Sequence, residues 1–175
     1  HQSIKHDKKL SAAFWEQKLW PQSSRITISF LDDPSSKNEH ISIQQLKRGG
    51  RKIDPLQEII NKNFAFDGNY NLKDALKLIV QERIQPLVSL QLQFVDDRDQ
   101  NADIRISFNT PDASWSMVGT DAKRSKPNPS MNLGWFDVGT YMHEFGHALG
   151  MIHEHQNTSH GGIPIAWDKP KLYSY

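Results

Sequence analysis

The stretch from His143 to His153, HEFGHALGMIH, constrains this 175-residue chain more than any other part of its sequence. Residues four apart on an α-helix lie on the same face, so His143 and His147 can direct their imidazole nitrogens at one ion. His153 follows six positions later and would point elsewhere on a continuous helix. Gly150 favours the left-handed backbone that ends a helix, which predicts a chain reversal that returns His153 to the other two.

Three histidines that leave a fourth position open are the ligand set of a catalytic zinc ion, because structural zinc sites are closed by four ligands. Glu144 lies off the ligand face and is suited to act as a general base on the attacking water in peptide hydrolysis. An amphipathic helix with incidental histidines is the alternative, yet five specified positions arise by chance about once in 10⁵ chains of this size. We therefore predict Zn²⁺ bound by His143, His147 and His153, with Glu144 as the catalytic residue.

This pattern, H-E-x-x-H-x-x-G-x-x-H, resembles the signature of the metzincin zinc peptidases. Glu154, directly after the third histidine, is similar to the glutamate found there in the astacin branch. The segment Ser114–Gly119 resembles the astacin W-S-x-x-G segment, and Met131–Gly134 with Gly139 resembles the run that leads into the zinc helix. The resemblance is strongest to astacin-like proteins of bacteria and fungi, and it covers residues 20–175.

The resemblance implies an α/β (α+β) fold, namely the N-terminal subdomain of a metzincin-like zincin. Such a fold has a twisted mixed sheet with packed helices, one of which carries the zinc ligands. The resemblance also implies that Trp115 begins the edge strand above the cleft, where an extended peptide adds as a further strand. For Glu154 it implies pairing with the mature amino terminus. Support of a metal-bound imidazole and a plain exposed position are the other interpretations of this carboxylate.

Two features depart from the family pattern. The chain has no cysteine, whereas animal astacins contain disulfides, and it lacks the S-x-M-x-Y Met-turn. Residues 154–175 are too few to build the lower subdomain that carries that turn. We therefore predict that further polypeptide beyond Tyr175, as a separate chain or a lost segment, completes the active site. Within the sequence we expect a leader at residues 1–20, which packs on the body through aromatic residues such as Trp15 and Trp20, and a catalytic domain at residues 21–175.

Composition limits the classes of protein to which this chain can belong. A chain of 175 residues is long enough for one domain with a sizeable core. Its formal net charge of +1 gives no reason to expect nucleic acid or an anionic membrane as a partner. No apolar run approaches the ~20 residues of a membrane-spanning helix. Taken with the resemblance, these features favour a secreted protein that acts on protein or peptide substrates.

Apolar periodicity predicts the elements that precede the metal motif. The predicted strands are Arg25–Phe30, Leu90–Phe94 and Ala102–Phe108, with a further short strand at His40–Ile43. The predicted helices run from Pro55, after an Asp54 cap, to Asn63, and from an Asn71 cap to Pro86. Residues 121–130 form a predicted surface loop, whose cations are better explained by solvation than by an acidic substrate.

The leading interpretation is a zinc-dependent endopeptidase. One alternative takes the third ligand from a glutamate on a later helix, as thermolysin-like enzymes do, but only Glu154 lies downstream and it is too close to His147. His155 and His160 also follow the motif, and the position of Gly150 favours His153 over them. An alternative of another class is a non-catalytic metal-binding or adhesion module on a degenerate peptidase scaffold. Such a module has no need of Glu144.

Overall fold

The computed structural model of the protein describes residues 13–35, 54–64 and 72–153. The strand predicted at His40–Ile43 and everything after His153 therefore lie outside the described residues. The elements in chain order are β1 (Ala13–Phe14), β2 (Arg25–Phe30), α1 (Pro55–Phe64), α2 (Leu72–Ile79), β3 (Gln91–Phe94), β4 (Ile104–Ser107), β5 (Trp115–Ser116), β6 (Met131–Asn132), α3 (Val138–Ala148) and β7 (Met151–Ile152).

Five of the strands form one mixed sheet in the order β3-β2-β4-β6-β5. The strands β3, β2, β4 and β6 run parallel to one another, and β5 joins the end of the sheet antiparallel to β6. The predicted mixed sheet with packed helices is therefore confirmed. The two remaining strands, β1 and β7, form a separate antiparallel pair, Ala13 opposite Ile152 and Phe14 opposite Met151.

The predicted apolar faces of the central strands form the core. Ile26, Ile28 and Phe30 of β2 are all buried, as are the alternating apolar residues from Ala102 to Phe108 around β4. The other face of β4 is buried as well, which alternation did not predict. Its Arg105 is completely buried, and burial lowers the pKa of the guanidinium.

Arg105 is tolerated in the interior because its guanidinium donates to the carbonyl oxygens and the hydroxyl that surround it. The acceptors are Ala102, Asp103, Ala122, Ser125 and Asn128. Most of them belong to the segment predicted as a solvated surface loop. Its cations Lys123 and Arg124 are exposed as expected, but Gly119–Ser125 is a 3₁₀ helix and Ala122 is buried over the arginine.

The two predicted helices before the metal motif are confirmed with small changes at their ends. Asp54 caps α1, because its carboxylate accepts from the Leu56 amide at 2.7 Å. The second helix is α-helical to Ile79 and continues as a π turn and a 3₁₀ turn to Leu87, so Pro86 marks its end as predicted. Its predicted apolar stripe is buried at Leu72, Ala75, Leu76, Ile79 and Val80. The Asn71 cap lies outside the described residues.

Candidate metal centre

The first turn of α3 is held by side chains from two parts of the chain. Asp137 is the N-cap, and its Oδ2 accepts from the Thr140 amide at 2.9 Å and from the Thr140 hydroxyl at 2.8 Å. Gln57 of α1, 81 positions away, accepts from the Val138 amide at 2.8 Å through its buried Oε1. These acceptors satisfy two of the amides that a helix leaves unpaired at its start.

The last turn of α3 ends in the predicted chain reversal. Gly150 has φ +105°, which confirms the expectation of a left-handed glycine after the helix. Its amide donates to the His147 carbonyl at 2.8 Å, so the helix closes as the chain turns. The two residues of β7 follow, and His153 comes directly after them.

The reversal brings the three predicted ligands together. The Nε2 atoms of His143, His147 and His153 lie 3.1, 3.2 and 3.2 Å from one another. Nitrogens placed at the corners of a tetrahedron around zinc, each at ~2.0–2.1 Å, would be about 3.3–3.4 Å apart. The three nitrogens therefore fit one zinc ion with little adjustment. Among the described residues, these three histidines form a group whose ligand atoms lie close enough together to hold one metal ion.

The tautomer of His147 is set by the backbone of β7. Its Nδ1 lies 2.8 Å from the Met151 carbonyl oxygen. A carbonyl can only accept, so Nδ1 carries the hydrogen and Nε2 keeps the lone pair that a metal requires. The pKa of His143 is lowered, mainly by burial and secondarily by the nearby His147. Both effects favour the neutral imidazole of His143, the form in which histidine binds metal.

Glu144 lies one position after the first histidine and is buried, with 7% of its surface exposed. Burial raises the pKa of its carboxyl, and His147 opposes this shift. A cleft of about 350 Å³ reaches this carboxylate from the side of the helix start. The cleft is lined by Ser114, Trp135, Asp137, Gly139, Thr140, His143 and Glu144. The carboxylate of Glu144, the predicted base, is therefore partly desolvated and lies at the wall of the cleft.

Several residues that hold the centre were missed by sequence reasoning. Asp137 had a local signal, an acidic residue just before the helix, which is typical of an N-cap. Gln57 had none, because its partner is 81 positions away. Tyr141 of the same helix is fully buried in edge-to-face contact with Phe136, and no local pattern predicted that contact.

The described residues also leave some predictions open. Glu154, His155 and His160 lie beyond the described part of the chain, so the pairing suggested for Glu154 stays a prediction. The same holds for further polypeptide beyond Tyr175. Residues 13–20 of the predicted leader do pack on the body, with Trp20 buried and Trp15 half-exposed. Within the described residues, no helix is long and apolar enough to cross a membrane.

Known proteins are similar to this chain in sequence and in fold. The chain is 36% identical over 53 residues to astacin-like metalloprotease toxin 5 of Loxosceles gaucho, an alignment that covers 30% of this chain and 28% of the toxin. It is 28% identical over 78 residues to astacin-like metalloprotease toxin 4 of Loxosceles laeta, which covers 45% of this chain and 68% of the toxin.

A solved structure of myroilysin is similar with a TM-score of 0.57 and 28% identity, covering 93% of this chain and 63% of that chain. The chain thus spans less than two thirds of myroilysin and of toxin 5. The sequence model of the astacin family, peptidase family M12A, matches residues 63–169, which include the three histidines and Gly150. With its mixed sheet and its histidine-bearing helix, the chain is an astacin-like metzincin and belongs to the astacin family of metallopeptidases.

Proposed function

We propose that the protein is a secreted zinc-dependent endopeptidase, with His143, His147 and His153 as the zinc ligands and Glu144 as the general base. The observation that carries the proposal is the convergence of three Nε2 atoms within 3.2 Å, beside a buried carboxylate at the wall of a cleft. Bound zinc would supply Lewis acidity, polarising the scissile carbonyl and acidifying a water. The names of the two toxins support secretion and action on proteins.

Glu144 handles the protons in this proposal. Its carboxylate is buried at the wall of the cleft, directly after the proposed ligand His143, where it can take a proton from the attacking water and pass it to the leaving amine. His147, fixed by the Met151 carbonyl, keeps its ligand nitrogen in one orientation while this occurs.

The substrate main chain is proposed to add to β5. Within the described residues β5 pairs with β6 alone, so its other edge can bind an extended peptide. Ser114, the residue before β5, lines the same cleft as His143 and Glu144. A peptide on this edge would therefore pass the proposed zinc ligands.

The test is casein degradation by the full chain, with and without a zinc chelator, beside Glu144→Gln. The chelator is expected to abolish cleavage, and Glu144→Gln to lower the rate by about 10²–10⁴-fold while zinc content stays near one per chain. Zinc bound without any cleavage would mean that residues 1–175 act as a metal-binding module and do not form a complete endopeptidase by themselves. Near-native turnover of Glu144→Gln would reject the assigned base.

A further inference from the structure

Residues 13–20, here called the N-terminal strap, lie against the end of α3 and the reversal that follows it. Its hydrogen bonds and strand pairing with the end of α3 and the segment after it fall on residues 148–152, between the second and the third proposed ligand. We propose that Trp20 of the N-terminal strap is a positioning residue for the metal centre, so that docking of the strap and zinc binding strengthen each other. The inference rests on the metal ligation proposed above.

Trp20 closes the end of α3. Its indole Nε1 donates to the Ala148 carbonyl at 2.8 Å, in a place where Trp20 is 5% exposed and Ala148 2%. The last four carbonyls of a helix have no partner within the helix, and burying one without a donor costs free energy. The indole therefore satisfies a carbonyl that belongs to the turn immediately after His147.

The backbone of the strap holds the reversal itself. The Trp15 amide donates to the Gly150 carbonyl at 3.1 Å, and β1 pairs with Met151 and Ile152. Met151 is the residue whose carbonyl orients His147, and Ile152 immediately precedes His153. The strap is thus bonded to the peptide that sets one ligand's tautomer and the other ligand's position.

Two glycines let the strap come this close. A side chain at Gly150 would place its Cβ 2.6 Å from the Leu19 Cδ2 atom, and one at Gly119 would collide with the Lys18 carbonyl oxygen. Lys18 also forms an ion pair with Asp121 of the 3₁₀ helix that begins at Gly119. The strap therefore lies between that 3₁₀ helix and the reversal.

These contacts couple two events, the binding of zinc and the docking of the strap. Zinc would hold His153 against His143 and His147, and the strap holds residues 150–152, so both favour the same arrangement of one short segment. If the strap raises zinc affinity by some factor, zinc must favour the docked strap by the same factor. Removing a partner that orients a metal ligand typically lowers metal affinity by about 10–100-fold.

Zinc affinity of the full chain, measured by competition with a chromophoric chelator, tests the inference in Trp20→Phe. This substitution keeps an aromatic ring and removes the Nε1 donor, and it is expected to weaken zinc binding by about tenfold. Thr27→Val is the control, because it too keeps the shape of the side chain and removes a hydrogen-bonding group, here the hydroxyl that donates to Asp103 across the sheet at 2.9 Å. Its zinc affinity is expected to equal that of the unmodified chain.

Two further measurements keep the inference testable if Trp20→Phe fails to fold. Gly119→Ala would press on the Lys18 carbonyl and approach the Gly150 Cα atom at 3.3 Å, so it disturbs the strap and the reversal together and is also expected to weaken zinc binding. In the unmodified chain, zinc is expected to slow hydrogen exchange at the Trp15 amide several-fold and to leave the Val95 amide, bonded to Ile28 in the sheet, unchanged.

Equal zinc affinity in Trp20→Phe and Gly119→Ala, with exchange at Trp15 unmoved by zinc, would overturn the linkage and leave the metal assignment standing. If the unmodified chain binds no zinc in the same titration, the metal assignment itself is wrong and the linkage is rejected with it. The two failures are therefore distinguished in one experiment.

Discussion

The two ends of α3 are held by different means. At the start, the side chains of Asp137 and Gln57 accept from the first amides of the helix. At the end, a distant backbone strand and the Trp20 indole hold a reversal that contains a left-handed glycine. The start fixes where the helix lies in the core, and the end fixes whether the third histidine meets the other two.

This difference separates stability from metal binding. A perturbation at the start of α3 removes hydrogen bonds of the fold, but every residue from His143 to His153 keeps its neighbours. A perturbation at the end changes the path between His147 and His153, so it changes the distances among the Nε2 atoms. We therefore expect damage at the end to lower zinc affinity, and damage at the start to lower the free energy of unfolding alone.

The largest effect is expected from Gly150→Ala. An alanine at φ +105° is strained, and its Cβ would press on Leu19, so a loss of about 3 kcal/mol in the free energy of unfolding is expected together with weaker zinc binding. Gly139→Ala is the matched control at the other end of the helix. Its Cβ would meet only the Asp137 Oδ2 atom at an ordinary 3.4 Å, so it is expected to change the free energy of unfolding by less than ~1 kcal/mol.

Chemical denaturation of the metal-free chains and chelator competition measure the two quantities separately. Leu19→Ala, added to Gly150→Ala, separates the two causes of the loss. It removes the contact with the new Cβ atom and leaves the backbone strain at position 150. We expect it to recover only part of the stability and little of the zinc affinity. Full recovery of stability and zinc affinity would mean that glycine is needed at position 150 to avoid a contact with Leu19, and not to adopt the left-handed backbone.

An intermediate effect is expected from Gln57→Met. Methionine has a similar length but no oxygen acceptor, so the buried Val138 amide loses its partner. A buried unsatisfied donor costs on the order of 2 kcal/mol in the free energy of unfolding. Zinc affinity is expected to stay unchanged. If Gln57→Met weakened zinc binding as strongly as Trp20→Phe, the proposed division between the two ends would be wrong.

The same difference between local and distant contacts decides which features of the molecule the sequence predicts. Elements with local signals were predicted well, such as β2 from its alternation, α1 from Asp54 and the reversal from Gly150. Contacts between distant residues carried no such signal. Arg105 is a buried cation because carbonyls from a later segment converge on it, and nothing in its own strand indicates that. Likewise the aromatic strap suggested docking, but not that Trp20 would bond the end of the histidine-bearing helix.

The smallest effect is expected from Asp137→Ala, which removes the N-cap that accepts from both donors of Thr140. Loss of an N-cap acceptor typically costs ~1 kcal/mol, because the freed amide can be reached by water at a partly exposed helix start. Asp137→Asn, which keeps a cap oxygen, is expected to restore most of that loss. Both variants should bind zinc like the unmodified chain in the chelator competition, since Gln57 still holds the preceding amide and the reversal is untouched. Zinc binding tenfold weaker in Asp137→Ala, with Asp137→Asn unaffected, would mean that the helix start also sets the ligand positions, and the two ends of α3 would then act as one unit.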